Sequence, residues 1–327
     1  MDMTSTSTSS KLDRMLTMEM ARVVEAAAVA AARERGQGDE KRADQVAVDA
    51  MRRELNNLPI SGRIVIGEGE RDEAPMLYIG EEVGSGGPEV DIALDPLEGT
   101  TICAKNQPNS LAVIAIAGRG NLLYAPDVYM EKIAIGPGYP EGTIDIDASP
   151  TDNLHAVARA KGCKVSEIST CVMDRSRHTE LIAEIRKCGA AIRLIGDGDV
   201  AGIIHTTEPE ETGIDLYMGI GGAPEGVLAA AALRCTGGQM QGRLILDTEE
   251  KEQRAARMGV TDPGKAYIME EMASGDVLFA ATGVTDGNML KGVKFGRNGI
   301  MTHTVVMRSS SGTVRWINGL HSSTEKF

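Results

Sequence analysis

Residues 93–101 read ALDPLEGTT: an alternating apolar run ends in Asp95, and Glu98 follows three residues later, before Gly99, Thr100 and Thr101. Two acids at that spacing have two uses. Asp95 could cap a helix, with Pro96 at its first position and Glu98 closing a reciprocal cap. Gly99, Thr100, Thr101 and Ile102 are poor helix formers, however, which leaves little helix to cap and favours metal ligation. Other carboxylates occupy comparable places. Glu68 and Glu70 follow a short strand in a glycine-flanked turn that suits a solvated loop as well as ligation. Asp44 sits on a helix face and alone reads as a solvated edge carboxylate, while Glu225 opens a helix after GIGGAP. In α/β folds the ends of strands point into a shared crevice, so acids from separate segments can converge there. Converging carboxylates repel unless protonated or neutralised, and a hard divalent cation, Mg²⁺ or Mn²⁺, neutralises them best near neutral pH. Softer metals would call for histidine and cysteine clusters.

The formal net charge is −13. That excludes nucleic-acid and anionic-membrane partners, which need a basic stripe to release counterions. A phosphorylated substrate stays compatible with it if bound cations reverse the local sign. Cys103, Cys163, Cys171, Cys188 and Cys235 are scattered singly, with no CxxC and no zinc spacing, which reads as reduced thiols of a cytoplasmic protein. The longest apolar run, LAVIAIA at 111–117, has the length of a strand and falls far short of a membrane span. The opening MDMTSTSTSS has neither the basic nor the apolar region of a signal peptide, and residues 1–11 are expected to be a disordered tail.

Three segments suit anions or hydroxyls. MDRSRH (173–178) sets Arg175, Ser176, Arg177 and His178 between a strand and a helix, where guanidinium forks and helical N–H groups can meet phosphate; a solvated loop start is the alternative. GDGDV (196–200) places Asp197, Gly198 and Asp199 in a turn, suited to sugar hydroxyls or to capping the next helix. GIGGAPEG (219–226) has the glycine density of a phosphate loop, but Pro224 stands at the third glycine of GxGxxG and no Walker lysine follows.

These residues need a scaffold. Leu12 to about Arg35 has helical spacing and ends at GQG, and 39–58 is a second helix stopped by Asn56, Asn57 and Pro59. The period then turns strand-like at 63–66, 90–95, 111–117 and 143–147. From 152 onward helices (152–161, 178–188, 199–205, 224–234) alternate with strands (168–173, 191–195, 214–219), and DVLFAAT and HTVVMR add strands near the end. Such alternation predicts layered α/β, with two tightly packed subdomains meeting near residue 150: a metal-binding one over 12–150 and a substrate-binding one over 151–327. Aromatics are 3% of residues, so aliphatic and alanine side chains must fill the core.

DPLEGT resembles the signature of the metal-dependent, lithium-sensitive sugar and inositol phosphatases, with Glu98 where aspartate is usual. IGEGERDEAPMLYIGEEVG, APDVYMEKIAIGPG, RSRH, IGDGDVAGII and GIGGAPEGV occur with it in order, and together they are similar to class II fructose-1,6-bisphosphatases of the bacterial GlpX type, over residues 12 to 320. The resemblance implies an α/β/α/β/α sandwich and a homo-oligomer. It also implies Mg²⁺- or Mn²⁺-dependent hydrolysis of the 1-phosphate of fructose 1,6-bisphosphate in gluconeogenesis, with sedoheptulose 1,7-bisphosphate as a further substrate of some relatives. It assigns Asp44 and Glu68 to one metal and Asp95, Glu98 and Glu225 to another, with Glu68, Asp95 and Thr100 catalytic. It assigns substrate contacts to Glu98, Gly99, Thr100, Tyr129, Arg175, Ser176, Arg177, Asp197, Gly198, Asp199 and Gly222. Arg175 replaces a lysine common among relatives, and Ser176 a proline. The mechanism implied is in-line attack on phosphorus by a metal-activated water that Thr100 orients. Rival readings are the same chemistry on an inositol phosphate or nucleotide 3′-phosphate, and a sugar-phosphate sensor without turnover.

Overall fold

Alanines let two helices open the chain side by side. α1 (Leu16–Glu34) buries Val23, Val24, Ala27, Ala28 and Ala31, and α2 (Glu40–Leu55) buries Ala43, Ala47, Val48, Met51 and Leu55. Asp39 caps α2 by accepting from the Arg42 amide at 3.0 Å. The computed structural model describes residue 12 and residues 14–69 and 76–322, so the expected tail at 1–11 and Glu70 lie outside the described residues.

The chain continues through β1 (Ser61–Ile66), β2 (Glu82–Val83), β3 (Glu89–Glu98), α3 (Thr100–Ala104), β4 (Leu111–Gly118) and β5 (Tyr129–Ile135). Next come α4 (Pro150–Lys161), β6 (Ser169–Met173), α5 (Thr179–Cys188), β7 (Ala191–Ile195), α6 (Asp199–Ile204), α7 (Pro209–Thr212), β8 (Leu216–Gly222) and α8 (Ala223–Thr236). The remainder is β9 (Gln239–Leu244), α9 (Glu249–Arg257), β10 (Ala266–Ile268), α10 (Met269–Met272), β11 (Val277–Gly283), β12 (Lys294–Gly296), β13 (Gly299–Arg308) and β14 (Thr313–His321). One sheet has the order β12-β13-β11-β4-β3-β1-β2, with β14 also on β13, and the other has β10-β9-β5-β8-β6-β7. Both are mixed: β1 runs parallel to β3, and β6 parallel to β7 and β8, among antiparallel neighbours.

Strand alternation decides the layering. In β4, Ala112, Ile114 and Ile116 join the core beneath α1 and α2, while Leu111, Val113, Ala115 and Ala117 join a second core on the opposite face. That inner core holds α8, whose Val227 to Leu233 are fully buried and which lies between the sheets. A helix apolar all round belongs in such a place. Its four consecutive alanines, Ala229 to Ala232, have no bulk to hold the sheets apart. On the far side of the second sheet, Ile133, Ile135, Leu216 and Met218 pack against Leu154 and Val157 of α4 and Ile182 and Ile185 of α5. The succession is helices, sheet, helix, sheet, helices, the five-layer α/β arrangement expected.

Three local expectations differ. The strands of the two sheets do not part at residue 150: β5, before it, belongs to the second sheet, and β11 to β14, after it, complete the first. Residues 143–147 form turns and no strand, because side chains take their backbone groups: the Asp145 amide donates to Asn153 Oδ1 at 2.9 Å and the Ile146 amide to Gln241 Oε1 at 2.7 Å. Thr100 to Ala104 do form a short helix, which starts after Gly99 and not at Asp95. No helix among the described residues is long and apolar enough to cross a membrane.

Close approach of two sheets onto an alanine face makes a sharp prediction. Ala230→Leu should destabilise the protein by about 1–3 kcal/mol through overpacking, seen as a lower urea midpoint at constant slope; an unchanged midpoint would mean slack around α8.

Candidate active site

The β3–β4 ladder slips between the two acids: Asp95 lies opposite Val113, whereas Glu98 lies opposite Leu111. Three steps on one strand against two on its partner is a bulge. Residues three apart on a regular strand point to opposite faces. The extra residue brings both acids to the inner face, the side of Val113 and Leu111, where α8 lies. Asp95 Oδ1 accepts from the Leu97 amide at 2.9 Å, which fixes the bend at Pro96. Gly99, left-handed at φ 78° and ψ 56°, then turns the chain into α3.

From the other side, Glu225 enters as the third residue of α8. One carboxylate oxygen each from Asp95, Glu98 and Glu225 lie within 4.8 Å of one another. Glu98 is buried and also accepts from the Val200 amide of α6 at 3.4 Å. The glycines of GIGG have their use here. A methyl group on Gly222 would stand 1.9 Å from Glu225 Oε2, and one on Gly221 would stand 1.9 Å from Asp199 Oδ2. Among the described residues this loop is therefore cleared for the chain's own carboxylates. Asp44 and Glu68 complete the group: their side chains hydrogen-bond each other, and Glu68 feels the charge of Asp95.

Repulsion and burial show in the proton affinities. Burial, then the charges of Asp95 and Asp44, push the Glu68 carboxyl up to about 9. Burial and Asp199 raise Glu225 to about 8, with Lys132 opposing them. Burial raises Asp95 to about 6 and Asp44 in the same direction, and burial with Asp95, Glu225 and Asp199 lifts Glu98 well above the carboxylate range. Among the described residues, Glu225 Oε2 is buried without a hydrogen-bond partner. An all-oxygen donor set carrying excess negative charge and one unpartnered buried oxygen fits a hard divalent cation, so this acidic cluster could bind metal.

Sequence reasoning missed one member of the site. Lys132, 1% exposed, ion-pairs Asp199 and donates to the Gly222 carbonyl at 2.8 Å. The signal was available: a lysine inside the apolar strand YMEKIAI needs a buried partner. Asp199 opens α6 after the left-handed Gly198, so it is not the cap, and it also accepts from the Tyr217 hydroxyl at 3.5 Å.

The anion-binding candidates divide. Arg177 donates through Nε and Nη2 to the Ile220 carbonyl at 3.0 and 2.8 Å, and its guanidinium stacks 4.7 Å over the half-exposed ring of Tyr129. His178 braces that loop: Nδ1 meets the Met173 carbonyl at 2.7 Å and Nε2 accepts from the Ile220 amide at 2.7 Å, which fixes the proton on Nδ1. Arg175 turns instead to Asp197, 3.8 Å away and half-exposed at the rim. Ser176 opens the short turn between them, and Thr100 is half-buried at the start of α3.

The family described as bacterial fructose-1,6-bisphosphatase, glpX-encoded, matches residues 14–321. The chain belongs to that family. Among its relatives, a D-fructose 1,6-bisphosphatase class 2/sedoheptulose 1,7-bisphosphatase of Synechococcus sp. (strain JA-3-3Ab) is 48% identical over 95% of this chain and 96% of its own. The protein of the same name from Synechococcus elongatus (strain ATCC 33912 / PCC 7942 / FACHB-805) is 47% identical over 95% of this chain and 97% of its own. Among solved structures, inositol monophosphatase from Anabaena (Nostoc) sp. PCC 7120 superposes with a TM-score of 0.31 at 14% identity, covering 59% of this chain and 71% of that one.

For a member of the glpX-encoded bisphosphatase family, the carboxylate cluster sets two measurable expectations. Glu68 and Glu225 have folded-state values raised from 4.5 to about 9 and 8, so the folded state holds protons that the unfolded chain releases. Their contribution is complete below about pH 4.5 and is lost as pH rises through 8 to 9. The melting temperature of the metal-free protein should fall over that window, and less steeply for Glu68→Gln; parallel pH profiles would contradict the raised value. Lys132→Met leaves Asp199 buried without its cation and should cost about 3–5 kcal/mol by urea denaturation, with Lys132→Met/Asp199→Asn less destabilised than Lys132→Met alone.

Proposed function

We propose that the protein hydrolyses the 1-phosphate of fructose 1,6-bisphosphate to fructose 6-phosphate and phosphate, and acts likewise on sedoheptulose 1,7-bisphosphate. The observation that carries this reading is the convergence of Asp44, Glu68, Asp95, Glu98 and Glu225, from separate segments, with Glu225 Oε2 buried and unpartnered among the described residues. The relatives named for both bisphosphates supply the substrate class.

Asp44 and Glu68 would hold one divalent ion, Mg²⁺ or Mn²⁺, and Asp95, Glu98 and Glu225 another. When bound, the ions offset the charge of the phosphoryl oxygens and lower the pKa of a water at the site. The chain's own groups do the positioning. The Thr100 hydroxyl hydrogen-bonds the attacking water and holds it in line with the departing sugar oxygen. Backbone groups at Gly99, Gly198 and Gly222 would contact the substrate. Arg175, Ser176 and Arg177, with Tyr129, bind the anionic end, and Asp197 and Asp199 accept from sugar hydroxyls. Lys132 keeps Asp199 aimed.

The test is phosphate release from fructose 1,6-bisphosphate with Mn²⁺, after exhaustive chelation, and for Asp95→Asn. Release should fall at least about a hundredfold in both latter cases while the variant keeps its circular dichroism. Undiminished release after chelation would overturn the mechanism.

A further inference from the structure

The second sheet splits beside the site. β6 pairs with β8 at Thr170–Leu216 and Cys171–Tyr217 and no further, although β8 runs on to Gly222. Ile220 lies beyond that split, opposite Glu131 of β5, and its N–H and C=O both turn away from β5, toward the side that β6 has left. In a complete sheet such groups belong to the next strand, and a partly buried peptide without partners there is costly.

Two consecutive side chains of the turn after β6 stand in for the missing strand. Arg177 donates to the Ile220 carbonyl, and His178 Nε2 accepts from the Ile220 amide at 2.7 Å. The other end of the imidazole, Nδ1–H, donates to the Met173 carbonyl at 2.7 Å, so the ring bridges the end of β6 to β8. It is 1% exposed and lies against a glycine: a Cβ on Gly219 would stand 3.2 Å from its Cε1 and Nε2. The imidazole thus holds the Ile220 peptide in one orientation, and the carbonyl of that peptide is what holds Arg177. Arg177 is exposed, with Nη1 free of partners among the described residues and its guanidinium stacked over Tyr129. A long cationic side chain loses rotamer freedom when it binds an anion, and one already fixed in place loses less.

We propose that His178 is a positioning residue for substrate binding: by fixing the Ile220 peptide it keeps the Arg177 guanidinium forked beside Tyr129 before the anionic end of the substrate arrives. The inference rests on the bisphosphatase reading above and adds to it a residue buried behind those that meet the substrate. Its two bonds can be tested apart. Asparagine reproduces the donor at Nδ1 and keeps the bond to Met173, whereas glutamine reproduces the acceptor at Nε2 and keeps the bond to Ile220.

The experiment measures KM and kcat for fructose 1,6-bisphosphate with Mn²⁺ in wild type, His178→Asn, His178→Gln, Arg177→Met and Arg177→Met/His178→Asn, each checked by circular dichroism. His178→Asn should raise KM about tenfold, the worth of one hydrogen bond at such a peptide, with kcat within about threefold. His178→Gln should stay within about twofold of the wild-type KM. On the Arg177→Met background the asparagine change should raise KM no further, because its effect passes through Arg177. An unaltered KM in His178→Asn, a rise of about tenfold in His178→Gln, or a full second rise on the Arg177→Met background would each overturn the positioning role alone. Absence of metal-dependent turnover in the wild type would instead overturn the bisphosphatase reading.

Discussion

Like charges in a confined space set the terms for everything around them. Asp44, Glu68, Asp95, Glu98 and Glu225 come from a helix, a turn, a bulged strand and a second helix, and they meet in a partly buried space that raises the proton affinity of each. A structure that holds such a group must restrain it from flying apart and must limit how much positive charge has to be recruited from outside. The two sheets provide the restraint. Lys132 provides part of the charge, lying behind Asp199 and lowering the cost of ionising Glu225.

The restraint depends on rigid elements placed back to back. β3 and β4 belong to one sheet, β5 and β8 to the other, and α8 lies between them with its first turn at the acidic group. Because α8 is lined with alanines, the sheets approach closely, and acids from each side come within reach of one another. Gly221 and Gly222 serve the same end at atomic scale, since any side chain there would occupy the volume of a carboxylate.

Much of this was visible in the order of residues. Glu68, Asp95 and Glu98 stand out because they follow strand-like runs, and the helical stripes of α1, α2, α4 and α5 give those elements to within four residues at either end. What escaped was whatever depends on pairing across the chain. In β5 Tyr129 is exposed and the polar Glu131 and Lys132 are adjacent, so YMEKIAI gives no clean alternation, and its membership of the second sheet, like the return of β11 to β14 to the first, follows only from long-range ladders. TIDID has the composition of a strand, but Asn153 and Gln241 claim its amides. The five acids were legible as chemistry, and their grouping was legible through resemblance. Lys132 was not, because a lysine declares its partner only once the neighbouring strand is known.

The bulge between Asp95 and Glu98 sets a rule for how this family of sites can change. Were residues 95–98 paired regularly with β4, without the bulge, their odd spacing would send Glu98 outward, toward α1 and α2. Substitutions such as aspartate for glutamate alter reach by one methylene and leave direction intact, whereas loss of the bulge alters direction itself. The slip in the ladder therefore decides which way the second acid faces, and the identity of the acid decides only how far it extends.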